Sequence, residues 1–259
     1  MTLIDPRSAE AFAGQYRHVS YPRRTIEKVQ YLTGQVTVAT GEGGTLVVSD
    51  VNPSEPGEQT FTPSGPGRFR QASGEGRSEI GFRRDADGSV THLFVGVEAY
   101  ERLPWAESPS LHRRLFKGCA LVFAWAGLGW PVMRLALTWW VRHFHLTALQ
   151  IRTRRTARAD RMLAAACLIN LLFMVGFGFA LANTPDDALV CGPPVGMVFM
   201  LWLPLMSTLL TLAGSARAAR LVTDTALSRF TRLHRTAIAA IAIGFLPLLA
   251  YWNLLGFNY

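Results

Sequence analysis

Cysteine and lysine are scarce in this sequence, and its second half has little acid. Three cysteines occur in 259 residues, Cys119, Cys167 and Cys191, with no Cys-x-x-Cys and no Cys/His spacing suited to a metal. All three lie beyond residue 114, so the first half contains no disulfide. In the apolar second half they read as isolated membrane thiols, with a Cys119–Cys191 pair near one membrane face as the other reading. Lysine occurs twice, at Lys28 and Lys117, against 24 arginines. Residues 1–114 hold 14 Asp+Glu against 13 Lys+Arg, whereas residues 115–259 hold 4 against 13. A net charge of +8 would suggest nucleic acid in a soluble protein. Here the excess arginine lies between apolar runs, as the positive-inside rule requires, and nucleic acid is not an expected partner.

An export signal is also missing from the first residues, since Met1 to Glu10 carries Asp5 and Arg7 and develops no apolar core. The long apolar runs come later, at Leu115–Leu137, Met162–Asn183, Pro193–Gly214 and Thr236–Leu255. Each is about as long as a helix needs to cross ~30 Å of hydrocarbon. Arg134 interrupts the first and is expected to snorkel toward the inner interface. The stretch Arg134–Arg161 has seven arginines, among them Arg152, Arg154, Arg155, Arg158 and Arg161. Ser215–Arg235 has five, Arg217, Arg220, Arg229, Arg232 and Arg235, whereas Thr184–Gly192 has none and carries Asp186 and Asp187. Both arginine loops are therefore expected in the cytoplasm, with residues 1–114 and Tyr259 facing outward across the cytoplasmic membrane. The lipid bilayer is the first partner this implies. Asn170, at mid-membrane depth, is expected to bond a neighbouring helix.

The first hundred residues read as short strands. Phe12, Gly14 and Tyr16 open the first; Val36 and Val38 turn at Gly41–Gly44 and return at Leu46–Val48. Phe61 and Phe69 sit in extended pieces between loops at residues 50–57 and 63–67, and Ile80 and Phe82 form a hairpin with Val90 and Leu93–Val95. Thr25, Ile26, Val29, Leu32 and Gly34 predict a short capped helix. Seven or eight strands in this length suit a small antiparallel barrel, either filled by side chains or holding one small apolar ligand. The fold class is α+β, with a linker over 1–11, a β domain over 12–105, a juxtamembrane collar over 106–117 and a four-helix transmembrane domain over 118–256.

Few residues suggest chemistry. Asp85 and Asp87, followed by Gly88, read as a turn rather than paired catalytic carboxylates. His143 and His145 have no carboxylate or cysteine nearby in sequence, and His18, His92, His112 and His234 read as surface residues. No cofactor or metal site is expected. Arg102, Pro104 and Trp105 have the composition of a membrane-interface joint: proline fixes the chain, tryptophan favours the headgroup level and arginine reaches phosphate. The competing reading packs Trp105 on the barrel.

Several strings resemble the tail of membrane-anchored serine hydrolases related to class C β-lactamases and penicillin-binding proteins. They are Phe12-Ala13-Gly14-Gln15-Tyr16-Arg17, the Phe82–Phe94 hairpin with its Asp85-Ala86-Asp87-Gly88 turn, Tyr100-Glu101-Arg102-Leu103-Pro104-Trp105, and Tyr251-Trp252-Asn253-Leu254-Leu255-Gly256-Phe257. In that family a catalytic domain precedes a lipocalin-like β domain and transmembrane helices, so the resemblance implies a lipocalin-like barrel here and a serine hydrolase domain, in cis or in trans, as partner. The family's catalysis needs Ser-x-x-Lys, where lysine activates serine. Thr25 and Arg114 stand three residues before Lys28 and Lys117, the sole Tyr-x-Asn is Tyr251-Trp252-Asn253, and no Lys- or His-x-Gly occurs. The expectation is a non-catalytic accessory module; a free-standing membrane sensor or apolar-ligand binder is the alternative. An outward β domain without an export signal further suggests that the chain is the tail of a longer exported precursor.

Overall fold

The computed structural model describes residues 9–32, 35–49, 57–72, 78–143, 147–185, 192–222 and 227–256. Two compact units divide the chain: Met1–Arg23 with Gln30–His112, and Arg24–Val29 with Arg113–Tyr259. The barrel unit thus continues through the expected collar as far as His112.

That unit is a closed antiparallel barrel in which each strand pairs with the next and the eighth with the first. The strands are β1 (Gly14–His18), β2 (Val36–Thr40), β3 (Leu46–Ser49), β4 (Glu58–Gly65), β5 (Arg68–Gln71), β6 (Glu79–Arg84), β7 (Val90–Val95) and β8 (Glu98–Arg102). Closure sets Tyr16 opposite both Val36 and Arg102, which leaves the sheet no free edge. Alternation fixes the register: Tyr16, Val36, Val38, Leu46, Val48, Phe61, Phe69, Ile80, Val90 and Leu93 are buried together. Phe12, just before β1, joins them, with its ring centroid 5.3 Å from Phe69 and 4.7 Å from Phe82. A barrel of eight strands is just wide enough for its side chains to fill, and these fill it.

Two local expectations change. Residues 63–65, expected in a loop, belong to β4, and the β4–β5 register shifts between Pro63 and Gly65. A bulge is where a sheet tolerates a proline that cannot donate to the ladder. The Ile26–Leu32 segment is helical, but as a 3-10 helix. Residues 33–34 and the 50–56 part of the expected loop lie outside the described residues.

The helices are α1 (Pro109–Ala124), which belongs to the other unit from Arg113 onward, and, wholly in that unit, α2 (Trp130–His143), α3 (Thr147–Ala182), α4 (Val195–Met200), α5 (Trp202–Val222) and α6 (Arg229–Tyr251). A π-helical stretch, Trp125–Gly129, joins α1 to α2 without a break, the Trp130 amide donating to the Trp125 carbonyl. Among the described residues four stretches are long and apolar enough to cross a membrane: Pro109–Trp140, Arg158–Ala182, Val195–Arg220 and Arg229–Tyr251. Leu121, Val175, Phe179, Leu209 and Leu233 all point outward and exposed. A surface of that kind needs lipid rather than water around it. Inside, small residues let backbones approach: a Cβ on Gly127 would lie 2.9 Å from the Leu168 amide nitrogen.

Candidate functional site

The helical unit buries an ionic cluster. Asp160, near the start of the second membrane stretch, is 7% exposed. Its Oδ1 accepts from Arg235 Nε at 2.5 Å and its Oδ2 from Arg235 Nη2 at 3.0 Å, while Arg134 Nη1 also donates to Oδ2. Arg235 is itself 5% exposed. Two guanidinium groups on one carboxylate leave a net charge of about +1 in a place that water barely reaches. Arg235 Nη1 has no hydrogen-bond partner among the described residues.

Aromatic rings wall the cluster. Trp125 Nε1 donates to His234 Nε2 at 3.1 Å, so the neutral imidazole carries its proton on Nδ1. Trp130 lies 4.4 Å from His234, centroid to centroid. The π stretch supplies Trp125 and Ala126, and its wider turn tolerates the Trp125 ring because residue 129 is glycine: a Cβ there would come within 2.8 Å of that ring. Ala126, Trp130, Asp160, Leu163, His234 and Arg235 line a cavity of about 10 Å³.

Arg134, Asp160 and Arg235 come from α2, α3 and α6, so the two arginine-rich stretches meet at one end of the helical unit. Within the expected positive loops, Arg158, Arg161, Arg217, Arg220 and Arg229 are exposed and Arg232 is half-buried, whereas Arg235 is turned inward. The side chains of Arg152, Arg154 and Arg155 lie outside the described residues, as do His145, Asp186, Asp187 and Cys191. Arg134 does not simply snorkel, because Asp160 holds it.

Deeper in the helices, Ser207 Oγ lies 2.6 Å from Asn170 Oδ1 and 2.9 Å from the Pro204 carbonyl, one proton shared between two acceptors. Asn170 therefore does bond a neighbouring helix. Cys119 and Cys167 are free thiols. Lys28 Nζ donates to the Tyr251 carbonyl at the end of α6 and sits 3.6 Å from that ring's centroid, while Asn253 Nδ2 donates to Thr25 O at 3.0 Å. A cation at a helix C-terminus is favourably placed.

In the barrel unit, Arg17 is buried between two carboxylates. Nε donates to Glu101 Oε1 at 3.0 Å, Nη1 lies 3.2 Å from Glu107 Oε2, and the guanidinium carbon lies 4.0 Å from the Tyr21 ring centroid. Burial pulls the Arg17 pKa down, but the bond to Glu101 and the charges of Glu101, Tyr21 and Glu107 push it above its ordinary value. Arg102 is engaged within the barrel unit: its Nη1 and Nη2 donate to the carbonyls of Ala11 and Ala13, at 3.1 and 2.6 Å. Pro104 is exposed, and Trp105 is 77% exposed rather than packed on the barrel.

Asp85 and Asp87 form the expected turn. Ser89 donates to Asp87 Oδ1 from its amide at 2.9 Å and from its hydroxyl at 2.7 Å, holding that carboxyl below the usual range. Gly88, at φ 83°, takes the left-handed position. Of the four histidines expected at the surface, His112 is buried and His18, His92 and His234 are half-buried, the last against Trp130. Among the described residues no group of three or more His, Cys, Asp or Glu is placed to hold a metal ion.

No protein-family model matches the chain, and no similar curated protein or solved structure was found. The likeness to β-lactamase-related hydrolases gains no support from these comparisons. Fold and helices define a class: a multi-pass membrane protein carrying a closed eight-stranded β-barrel.

Proposed function

We propose that the chain is a non-catalytic, membrane-anchored module that positions or regulates a partner domain, a serine hydrolase in cis or in trans, at the outer face of the cytoplasmic membrane. The packing of the barrel carries this reading. Tyr16, Leu46, Val48, Phe61, Phe69, Ile80 and Leu93 are 0% exposed and occupy the interior. A barrel given over to its own side chains offers a partner its wall and loops rather than a cavity. The same packing weighs against the apolar-ligand reading. The seven and five arginines of the two interhelical stretches, against none in Thr184–Gly192, support an outward barrel. Two lysine-containing elements of the resembled hydrolases' chemistry, Ser-x-x-Lys and Lys-x-Gly, do not occur in the sequence, which supports an accessory role.

The test places a photo-crosslinking amino acid at Thr91 or Val97 on the barrel and illuminates intact spheroplasts. The expected product is a crosslink to an outward-facing domain that reacts with a serine-directed acylating probe, with this chain itself unlabelled. Stoichiometric labelling of a serine in this chain, or crosslinks only to cytoplasmic proteins, contradicts the reading.

A further inference from the structure

Among the described residues, the ionic cluster at the arginine-rich end of the helices has one positive charge too many and one buried donor too many. Asp160 neutralises one of Arg134 and Arg235, and both of its oxygens are occupied by them. Arg235 meets Asp160 through Nε and Nη2, which directs Nη1 away from the carboxylate, and that nitrogen is buried without a partner among the described residues. An uncompensated guanidinium in a low-dielectric site is costly unless an anion accompanies it. Arg235 also lines the cavity of about 10 Å³, together with Asp160, His234, Trp130 and Ala126. That is room for about one water-sized atom, such as a single phosphate oxygen, and not for a whole phosphate group.

We propose that Arg235 Nη1 and this cavity form a phosphate-oxygen site, filled by the headgroup of an anionic phospholipid. One non-ester oxygen enters the cavity and accepts from Arg235 Nη1, and the rest of the headgroup stays at the mouth beside Arg134, whose side chain is 25% exposed. Three features favour lipid over free phosphate as the source. The cavity admits one oxygen and leaves the ester side outside. Trp125 and Trp130 give the aromatic setting of a headgroup-level site. Phe230 and Leu233, next to His234, are exposed apolar side chains on the same helix. Basic pockets between membrane helices bind anionic headgroups by this chemistry. The inference does not depend on which way the barrel faces.

The full chain is purified in a phosphate-free neutral detergent, and its thermal unfolding is followed with phosphatidylglycerol, phosphatidylcholine or inorganic phosphate added. Native mass spectrometry counts retained lipids. The expected result is a rise of about 2–4 °C with phosphatidylglycerol at saturation, a smaller one with phosphatidylcholine, and one phosphatidylglycerol retained per chain. Arg134→Gln makes the cluster neutral and leaves the Arg235–Asp160 pair intact, so it should fold and lose the preference for the anionic lipid. Arg235→Gln, if it folds, should lose both the shift and the retained lipid. A rise with inorganic phosphate alone keeps the phosphate-oxygen site and overturns the lipid as its source. An equal rise in wild type and Arg134→Gln, or no rise with either phosphate source, overturns the site.

Discussion

The two units sort the same amino acids in opposite ways. In the barrel, Phe61, Phe69, Ile80 and Leu93 are fully buried, while Arg68, Arg70, Arg83 and Arg84 stand outside. In the helical unit Asp160, Asn170, Ser207, Thr211 and Arg235 are buried, while Leu121, Val175, Phe179 and Leu209 stand outside. Water explains the first arrangement, because burying apolar surface is favourable and charge is cheap at the surface. Hydrocarbon explains the second, because apolar side chains lose nothing by facing lipid and polar groups must find one another. Opposite sortings on one chain indicate two solvents, a stronger argument for a membrane than the length of the helices alone.

The largest expected effect breaks the inward sorting of charge. Asp160→Asn leaves Arg134 and Arg235 without their shared carboxylate, and removing one partner of a buried ionic group costs about 3–5 kcal/mol. Denaturant titration in detergent should show the loss, and replacing Arg235 as well should recover part of it.

A matched pair of aromatic truncations sharpens the contrast. Phe69→Ala removes a fully buried barrel ring and should cost about 3 kcal/mol, whereas Phe179→Ala, at a position 70% exposed, should cost under about 1 kcal/mol. Equal losses in thermal unfolding would mean that Phe179 packs against protein, not lipid.

Alkaline pH tests the barrel interior. Tyr16 donates to the Phe12 carbonyl at 2.7 Å, and burial pushes its hydroxyl from 10.0 up to about 12 although the charge of Arg102 pulls it down. The unfolded tyrosine gives up its proton near pH 10, the folded one near pH 12. The barrel's stability is therefore complete below pH 10 and falls as pH climbs to 12, by about 2–3 kcal/mol at most. Tyr16→Phe should be less stable at neutral pH and should lack that alkaline decline.

A smaller effect belongs to Asn170. Asn170→Leu removes the bond from Ser207, and interhelical bonds of this type contribute about 1 kcal/mol or less. A loss of several kcal/mol would show that Asn170 organises more than this one bond.

Much of this architecture is legible in the residues because it rests on local periodicity. Val36 and Val38, Ile80 and Phe82, and the Asp-Ala-Asp-Gly turn announce strands and a hairpin, and four apolar runs announce four helices. What escapes is long-range. Asp160 is the one carboxylate between Arg134 and Arg161, but counting that stretch as a positive loop hides it, and its partner Arg235 is 75 residues away. A single acid in a basic run between apolar segments was the available signal. Nothing local marks Lys28, because the Tyr251 carbonyl it meets at the end of α6 is 223 residues away. Pro63 reads as a loop because its strand exists only through a bulge that β5 accepts. The π stretch leaves no pattern beyond Gly127 and Gly129.

The central claim is that the arginine-rich stretches and the barrel lie on opposite sides of the membrane, and thiol accessibility tests it most directly. In a background with Cys119, Cys167 and Cys191 replaced by serine, Ser64→Cys, Asp187→Cys and Arg155→Cys are each treated in intact cells with an impermeant thiol reagent. The account predicts labelling of the first two and none of the third until the membrane is opened. Labelling at position 155 in intact cells, with positions 64 and 187 protected, would contradict it.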